Sequence, residues 1–361
     1  MAKTRRARAT RDVTALAAPG ERSPRPGKAT IRDVARTASV SLATASRAIN
    51  GHRSVSPSVR RRVADAINAL GYKPDATAQN MRTGVTRTIG IIVRSITVPA
   101  LAGFVESAQR VLDEAGYALI IMCSEDRRDR ELELLGLMAR RRVDGLIMTT
   151  QSESDPELVA ARASLDCPIV LLDRETTGAE DTTTVDHCDG VRRAVEYLFD
   201  LGHQRIGLVT GTTTVYPSRD RIRGYREAHE RRGITIDPDL VRTDGFDAHS
   251  TFSAAATLLG SLQRPTAIIA GGINMLGTIM QAVRSRGLRI PEDVSIIGGG
   301  DTDLSRLATP PITVIRWNFS ELGETAARLL LERVQQSLER PPRRLKFPTE
   351  LVVRSSCGAQ A

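Results

Sequence analysis

The sequence predicts an α/β protein headed by a small all-helical unit. Three observations predict it. Beyond Thr88, short aliphatic and β-branched runs alternate with amphipathic helical stretches. Before it, three short helical stretches each begin on a capping residue. Charge divides the chain at the same place: residues 1–84 hold 17 basic and 5 acidic side chains, and the remainder holds 34 and 37. Such asymmetry points to a polyanionic partner for the N-terminal part.

Residues 1–28 (MAKTRRARATRDVTALAAPGERSPRPGK) are rich in Arg, Ala, Pro and Gly without sustained period. They read as a disordered basic arm, either adding non-specific phosphate attraction or idle. The first helix starts on Thr30, with Asp33 three residues on, and gathers Ile31, Val34, Ala35 and Ala38 on one face. The second starts on Ser41 and buries Ala45, Ala48 and Ile49. The third starts on Ser56-Pro57, buries Val59, Val63, Ala66, Ile67 and Leu70, and stops at Gly71. Only Ser39-Val40-Ser41 joins the first two, with Val40 as the plug between them. This is a helix-turn-helix pattern braced by a third helix. DATAQNMRTG, from Asp75, is a further helix of about two turns, too short to be stable alone in water.

TIGIIVRSI, ALIIMCS, VDGLIMTT, PIVLLDR, RIGLVTG, TAIIAGG and VSIIGGG read as buried strands. VESAQRVLDEAGY, RELELLGLMARRR, VRRAVEYLFDLGH, RIRGYREAHERRG and NMLGTIMQAVRSRG read as the helices between them. The alternation implies parallel sheets with helices on both faces. The length suits two such lobes with a crevice at the strand ends.

Composition narrows the function. Hydrophobic residues make up 41%, so the chain is globular, and aromatics only 3%, so stacking platforms are few. The four cysteines, Cys123, Cys167, Cys188 and Cys357, are scattered without CxxC spacing and read as reduced thiols. No signal-peptide core and no run of 18 apolar residues occurs, so a cytoplasmic protein without a membrane span is expected. GGINMLG and GGGD lack both the GxGxxG spacing and a P-loop lysine. No Ser-His-Asp, Cys-His or HExxH arrangement is present. Neither an enzyme, nor a metal site, nor a cofactor is expected.

The outward edge of the second helix carries Leu42, Ala43, Ser46, Arg47 and Asn50. Small residues and one arginine let a helix lie close to the floor of a major groove, and Arg47 suits a bidentate bond to guanine. Ser41 and Thr44, at the positive helix end, suit phosphate oxygens. With Thr30, these are the candidate contacts in the folded unit.

TIRDVARTASVSLATASRAING followed by VSPSVRRRVADAINALGYKPDATAQNMRTG resembles the DNA-binding headpiece of the lactose/galactose repressor family. TIGIIV, RRRVDGLIM, PIVLLDR, YLFDLGHQRIGLVTG, RIRGY, EDVSIIG and TPPITVIR follow in that family's order, so the resemblance runs from Ala29 to Arg354. It implies a periplasmic-binding-protein-like core of two parallel-sheet lobes. It implies headpiece residues 29–74, a hinge helix within 75–84 and a core over 88–361. The first lobe would take about 88–185 and 318–340, the second about 186–317 and 341–361. It further implies that Asp75–Arg82 folds as a hinge helix on DNA, with Met81, flanked by Ala78, as the apolar wedge in the minor groove. His203 falls at a structural position of the family.

The resemblance also implies a small-molecule effector, a sugar or other metabolite, between the lobes. Arg221 matches a ligand-binding arginine and Asp173 a cleft carboxylate, each either touching ligand or joined in a salt bridge. Trp317 is either pocket wall or hinge packing. SITVPAL, Ser95 to Leu101, lacks the family's Asn and aromatics there. Gly271-Gly272 replaces an Asn-Asp pair, and Gly300 replaces an Asp beside Asp301. A smoother, less polar crevice is therefore expected, with Gly271 and Gly300 lining it. The function implied is a homodimeric repressor on a pseudo-palindromic double-stranded operator, nucleoid-associated when bound to DNA. The alternatives are an effector-independent repressor and a cytosolic small-molecule-binding protein.

Overall fold

The computed structural model describes residues 29–72, 85–99, 101–335 and 340–360, in two compact units divided at Gly84/Val85. The arm, and the hinge reading with Ala78 and Met81, lie outside the described residues.

The first unit has three helices, α1 (Ile31–Thr37), α2 (Leu42–Ile49) and α3 (Pro57–Leu70). Thr30 and Asp33 form a full capping box on α1, and Ser41 and Ser56 cap α2 and α3. Gly71, at a left-handed φ of 58°, ends α3. Val34, Ala38, Val63 and Ala66 make the small core, with Val40, Ala48 and Ile49 packed against it. The turn closes through Ser39 at φ 52° and the Val40 amide donating to the Ala35 carbonyl. Arg60 donates to the His52 and Val55 carbonyls, tying the loop after α2 to α3.

The second unit holds two six-stranded sheets. The first lobe contains β1 (Thr88–Val93), α4 (Leu101–Glu114), β2 (Ala118–Cys123), α5 (Arg128–Arg141), β3 (Gly145–Met148), α6 (Pro156–Ala163), β4 (Ile169–Leu172) and β5 (Asp181–Val185). The second contains α7 (His187–Asp200), β6 (Ile206–Val209), α8 (Tyr216–Arg232), β7 (Val241–Arg242), α9 (Ala248–Gly260), β8 (Ala267–Ala270), α10 (Met275–Ser285), β9 (Ser295–Gly299), α11 (Asp303–Leu307) and β10 (Thr313–Arg316). The chain then returns: α12 (Phe319–Gln335) packs on α4, β11 (Arg344–Phe347) pairs with β5, and β12 (Glu350–Val352) crosses back to pair with β10. The strand orders are β11-β5-β4-β3-β1-β2 and β12-β10-β9-β8-β6-β7, and every pairing is parallel except β10 with β12. The expected return to the second lobe at 341 is thus too early, because β11 completes the first sheet.

Alternate residues of the strands feed opposite cores. Ile89, Ile91 and Val93 face α4 and α12, whereas Ile92 faces Leu134, Leu135 and Met138 of α5. Strands covered on both faces read as continuous apolar runs. β5, DTTTV, escaped the sequence reading because it has one apolar residue, yet it is buried throughout. His203 is buried and structural: its Nε2 donates to the Gly358 carbonyl and its Nδ1 accepts from Thr266. Asp301 is likewise structural, held bidentately by Arg354 at 2.8 and 2.9 Å.

Three short segments connect the lobes: Asp186 between β5 and α7, Trp317-Asn318 between β10 and α12, and Pro348-Thr349 between β11 and β12. The first and third are bonded to each other, with the Asp186 amide donating to the Phe347 carbonyl and the Thr349 hydroxyl to the Asp186 carbonyl. Beyond the connections, the lobes also touch across Glu153, which accepts from the Tyr216 amide and pairs with Arg219.

Candidate functional site

In the helical unit, α2 turns Ala45 inward, fully buried, and leaves the opposite edge open. Ala43 and Arg47 are exposed on that edge, and Leu42, 46% exposed, stands on its flank. An isolated leucine in water costs apolar hydration, which a thymine methyl or base edge would relieve. The Arg47 guanidinium has no partner among the described residues. Ser41 accepts from the Thr44 amide, and the two hydroxyls are 2.8 Å apart. Asn50 turns back, donating to the Ser46 carbonyl. Thr30 donates its hydroxyl to Asp33 at 2.7 Å, so it serves the α1 cap first. Ser41, Leu42, Ala43, Thr44, Ser46, Arg47 and Asn50 are therefore brought together on one short helix, and Thr30 stands on another.

In the core, a crevice enclosing about 890 Å³, partly open to solvent, lies where strand ends of both lobes face each other. Asp173, Arg221 and Trp317 all line it. Asp173, just after β4, takes a left-handed φ of 51°, a strained conformation that Asp tolerates better than most residues. Its carboxylate accepts from His187 Nε2 at 2.9 Å and from the Val185 amide at 3.2 Å. His187 Nδ1 in turn accepts from Arg221 Nη2 at 3.3 Å. The single tautomer carrying its proton on Nε2 satisfies both bonds. Burial and the neighbouring Arg221 charge push the His187 imidazolium pKa down, which keeps the ring neutral. Burial opposes ionisation of Asp173, but His187, Arg221 and Arg174 outweigh it and hold the carboxyl below its ordinary value. Asp173 and Arg221 are thus joined through His187, with no hydrogen bond directly between them.

Trp317 is both wall and hinge. It sits on a connecting segment, packs edge-on to His187 at 5.3 Å between ring centroids, and touches the apolar cores of both lobes. Gly271 and Gly300 do not line the crevice. Gly271 follows β8, where an added Cβ would lie 2.9 Å from the Val209 carbonyl, and Gly300 packs on Ile273. The wall at this point is Gly272, Ile273 and Asn274. Nor is the crevice merely smooth. Phe104 from α4, Phe246 from the loop after β7 and Phe319 from α12 supply aromatic surface, while Arg94 and Arg174 join Arg221. Arg94 lies over the Phe246 ring at 5.5 Å, bridging the lobes. These residues are isolated in sequence, and only the topology assembles them.

Gly224 sets the depth of Arg221. A Cβ there would meet the Cys188 carbonyl oxygen of α7 at 2.1 Å. Gly224→Ala is expected to push α8 off α7, cost about 1–3 kcal/mol and separate Arg221 from His187. Urea unfolding would measure the first effect and ligand affinity the second.

Among the described residues no group of His, Cys, Asp and Glu could hold a metal ion, and no helix is long and apolar enough to cross a membrane. All four cysteines are free thiols.

A helix-turn-helix unit followed by a two-lobed core with a lined crevice defines a DNA-binding regulator able to hold a small molecule. The family pattern described as bacterial regulatory proteins, lacI family, matches residues 30–75, and that of the periplasmic binding protein-like domain matches 195–357. The chain is 32% identical over 333 residues to the HTH-type transcriptional repressor PurR of Photobacterium profundum, covering 91% of this chain and 98% of that protein. It is 34% identical to the ribose operon repressor of Escherichia coli K12, covering 85% and 94%. In structure it is similar to the lac repressor dimer bound to operator and the anti-inducer ONPF, with a TM-score of 0.80, 29% identity and coverage of 92% and 100%. The chain belongs to the lacI family of bacterial regulatory proteins. The curated relatives it matches are transcriptional repressors, and the protein is not an enzyme.

Proposed function

We propose that the protein is a cytoplasmic, homodimeric, sequence-specific repressor whose operator affinity is set by a small molecule held between the core lobes. The observation that carries it is the nearly uncharged outer edge of α2, with Leu42 exposed and Arg47 unengaged, on a unit that is otherwise strongly basic. Two copies present two such edges to a pseudo-palindromic duplex, in line with protein two-fold symmetry. Asp75–Arg82 serves as the hinge, and Met81 beside Ala78 enters the minor groove. When bound, the protein is nucleoid-associated.

Ligand acts through its differential affinity for open and closed lobes. Arg94 over Phe246 and Arg219 with Glu153 already join the lobes, so opening must part both pairs while the three connections hold the pivot. The effector-independent alternative draws on Gly271-Gly272 and Gly300. Gly272 forms part of the wall, but Gly271 and Gly300 stand behind it, and the crevice is open and lined, which supports the effector reading.

Selection of bound sites from random duplexes tests the proposal. Arg47→Ala is expected to weaken the selected site by about 1–3 kcal/mol and to relax preference at one base pair. An unchanged site preference would remove α2 as the reading element.

A further inference from the structure

Three guanidinium groups but one carboxylate line the crevice: Arg94, Arg174 and Arg221 against Asp173. Arg94 is answered from outside the wall by Asp126 at 3.4 Å. The remaining acids near Arg174 are engaged elsewhere. Glu131 accepts from the Thr150 hydroxyl and the Gln151 amide, and Glu153 is held by Arg219 and the Glu175 and Tyr216 amides. Arg174 donates only to two carbonyls, those of Thr150 and Asp173. Asp173 faces two cations and is itself bonded to His187 and Val185.

Arg221 is only 5% exposed. Its Nη2 donates to His187, but Nη1 is buried and has no hydrogen-bond partner among the described residues. Buried donors, above all charged ones, are almost always answered, and an unanswered one at a cavity wall points to an acceptor carried by the occupant. A planar guanidinium held in place by a neutral histidine matches a carboxylate's geometry. The one carboxylate of the wall, Asp173, is already engaged by His187 and the Val185 amide. Each hydroxyl of a sugar brings a donor that needs an acceptor, whereas a carboxylate asks only for donors. Much of the remaining surface is apolar, with Phe104, Phe246 and Trp317 its broadest pieces, beside polar Ser95, Thr149 and Asn274.

We propose that the crevice binds a small monocarboxylic acid with an apolar, flat or branched body, its carboxylate on Arg221 Nη1 and its body against Phe246 and Trp317. The proposal deepens the effector reading and rests on it. Arg221 Nη1 is the one buried, unpartnered guanidinium nitrogen of the crevice among the described residues, which suits a monoanion better than the dianion of a phosphate monoester.

Trp317 is the only tryptophan of the chain, so its emission reports this site alone. Titration of the full-length protein with benzoate, phenylacetate, cinnamate and hexanoate, each beside its neutral amide, tests the proposal, with D-ribose and phenyl phosphate as further arms. At least one carboxylate is expected to give a saturating change, with its amide weaker by about tenfold or more. Arg221→Gln is expected to abolish the response. Should that variant not fold, the acid–amide comparison in the unaltered protein still decides. Equal binding of acid and amide overturns the proposal. So does a response to D-ribose or phenyl phosphate where no carboxylate acts, or silence of all four acids up to millimolar concentration. Binding of the unliganded protein to its selected duplex, read by anisotropy, is a separate measurement. Failure there would strike the regulator reading and leave the acid site standing.

Discussion

Replacing Arg333 by methionine is expected to cost the core about 3–5 kcal/mol, because it strands a buried carboxylate. Arg333, at the end of α12, donates Nε and Nη2 to both oxygens of Asp181 at 2.9 and 2.8 Å. The Asp181 side chain is fully buried on β5 and also accepts from the Arg343 amide just before β11. One carboxylate therefore joins α12, β5 and the approach to β11, three pieces distant in sequence. Burial opposes its ionisation, but the Arg333 hydrogen bonds and the Arg343 amide prevail, and its pKa is lowered. The sign follows: a depressed carboxylate adds stability that is complete above the unfolded value, about 3.9, and is lost as pH falls through the lower folded value. In Arg333→Met the same group has lost its partner and takes up a proton more readily. The deficit measured by urea unfolding at pH 7 should shrink as pH drops below about 4. A variant as stable as its parent at pH 7 would show that the pair merely offsets its own desolvation.

Ala45→Glu is expected to abolish duplex binding while the core's own unfolding transition stays where it was. Ala45 is fully buried in the helical unit, on the face of α2 opposite Ala43 and Arg47. Domains this small seldom hold more than about 3–5 kcal/mol of stability. Burying an unpaired carboxylate costs several kcal/mol, so the substitution consumes all of it. Circular dichroism would show the loss of three helices, a gel shift the loss of DNA binding, and Trp317 emission an intact crevice. Retained operator binding would mean that α2 can expel the new side chain without leaving its place.

The helical unit was almost entirely legible in the sequence, because capping is local chemistry. Thr30 with Asp33, Ser41, Ser56-Pro57 and Gly71 mark boundaries that the structure repeats. The strands were legible where both faces are apolar, as in TIGIIV and AIIA, and not where buried threonines carry the strand, as in β5. The crevice was half legible. Asp173, Arg221 and Trp317 could be placed through the motifs around them. Phe246, Arg94 and Arg174 sit in separate loops and strand ends, and His187 opens a helix where nothing near it in sequence marks a role. Gly271 misled for a physical reason: its lack of a side chain serves the close approach of the end of β6, where its own Cβ would lie 2.9 Å from the Val209 carbonyl oxygen and 3.0 Å from the Thr210 side chain. It is not a gap left for a ligand.

The return of α12 and β11 to the first lobe orders events on the ribosome. The helical unit is complete within the first 72 residues and makes only short-range contacts, so it folds early. The first lobe must wait for nearly the whole chain. Until Leu322, Ala326 and Leu330 emerge, the flank of its sheet around Ile91 and Ile147 has only α4 for cover. A nascent chain halted anywhere in the second lobe would carry a finished reading head on a body still deaf to metabolites.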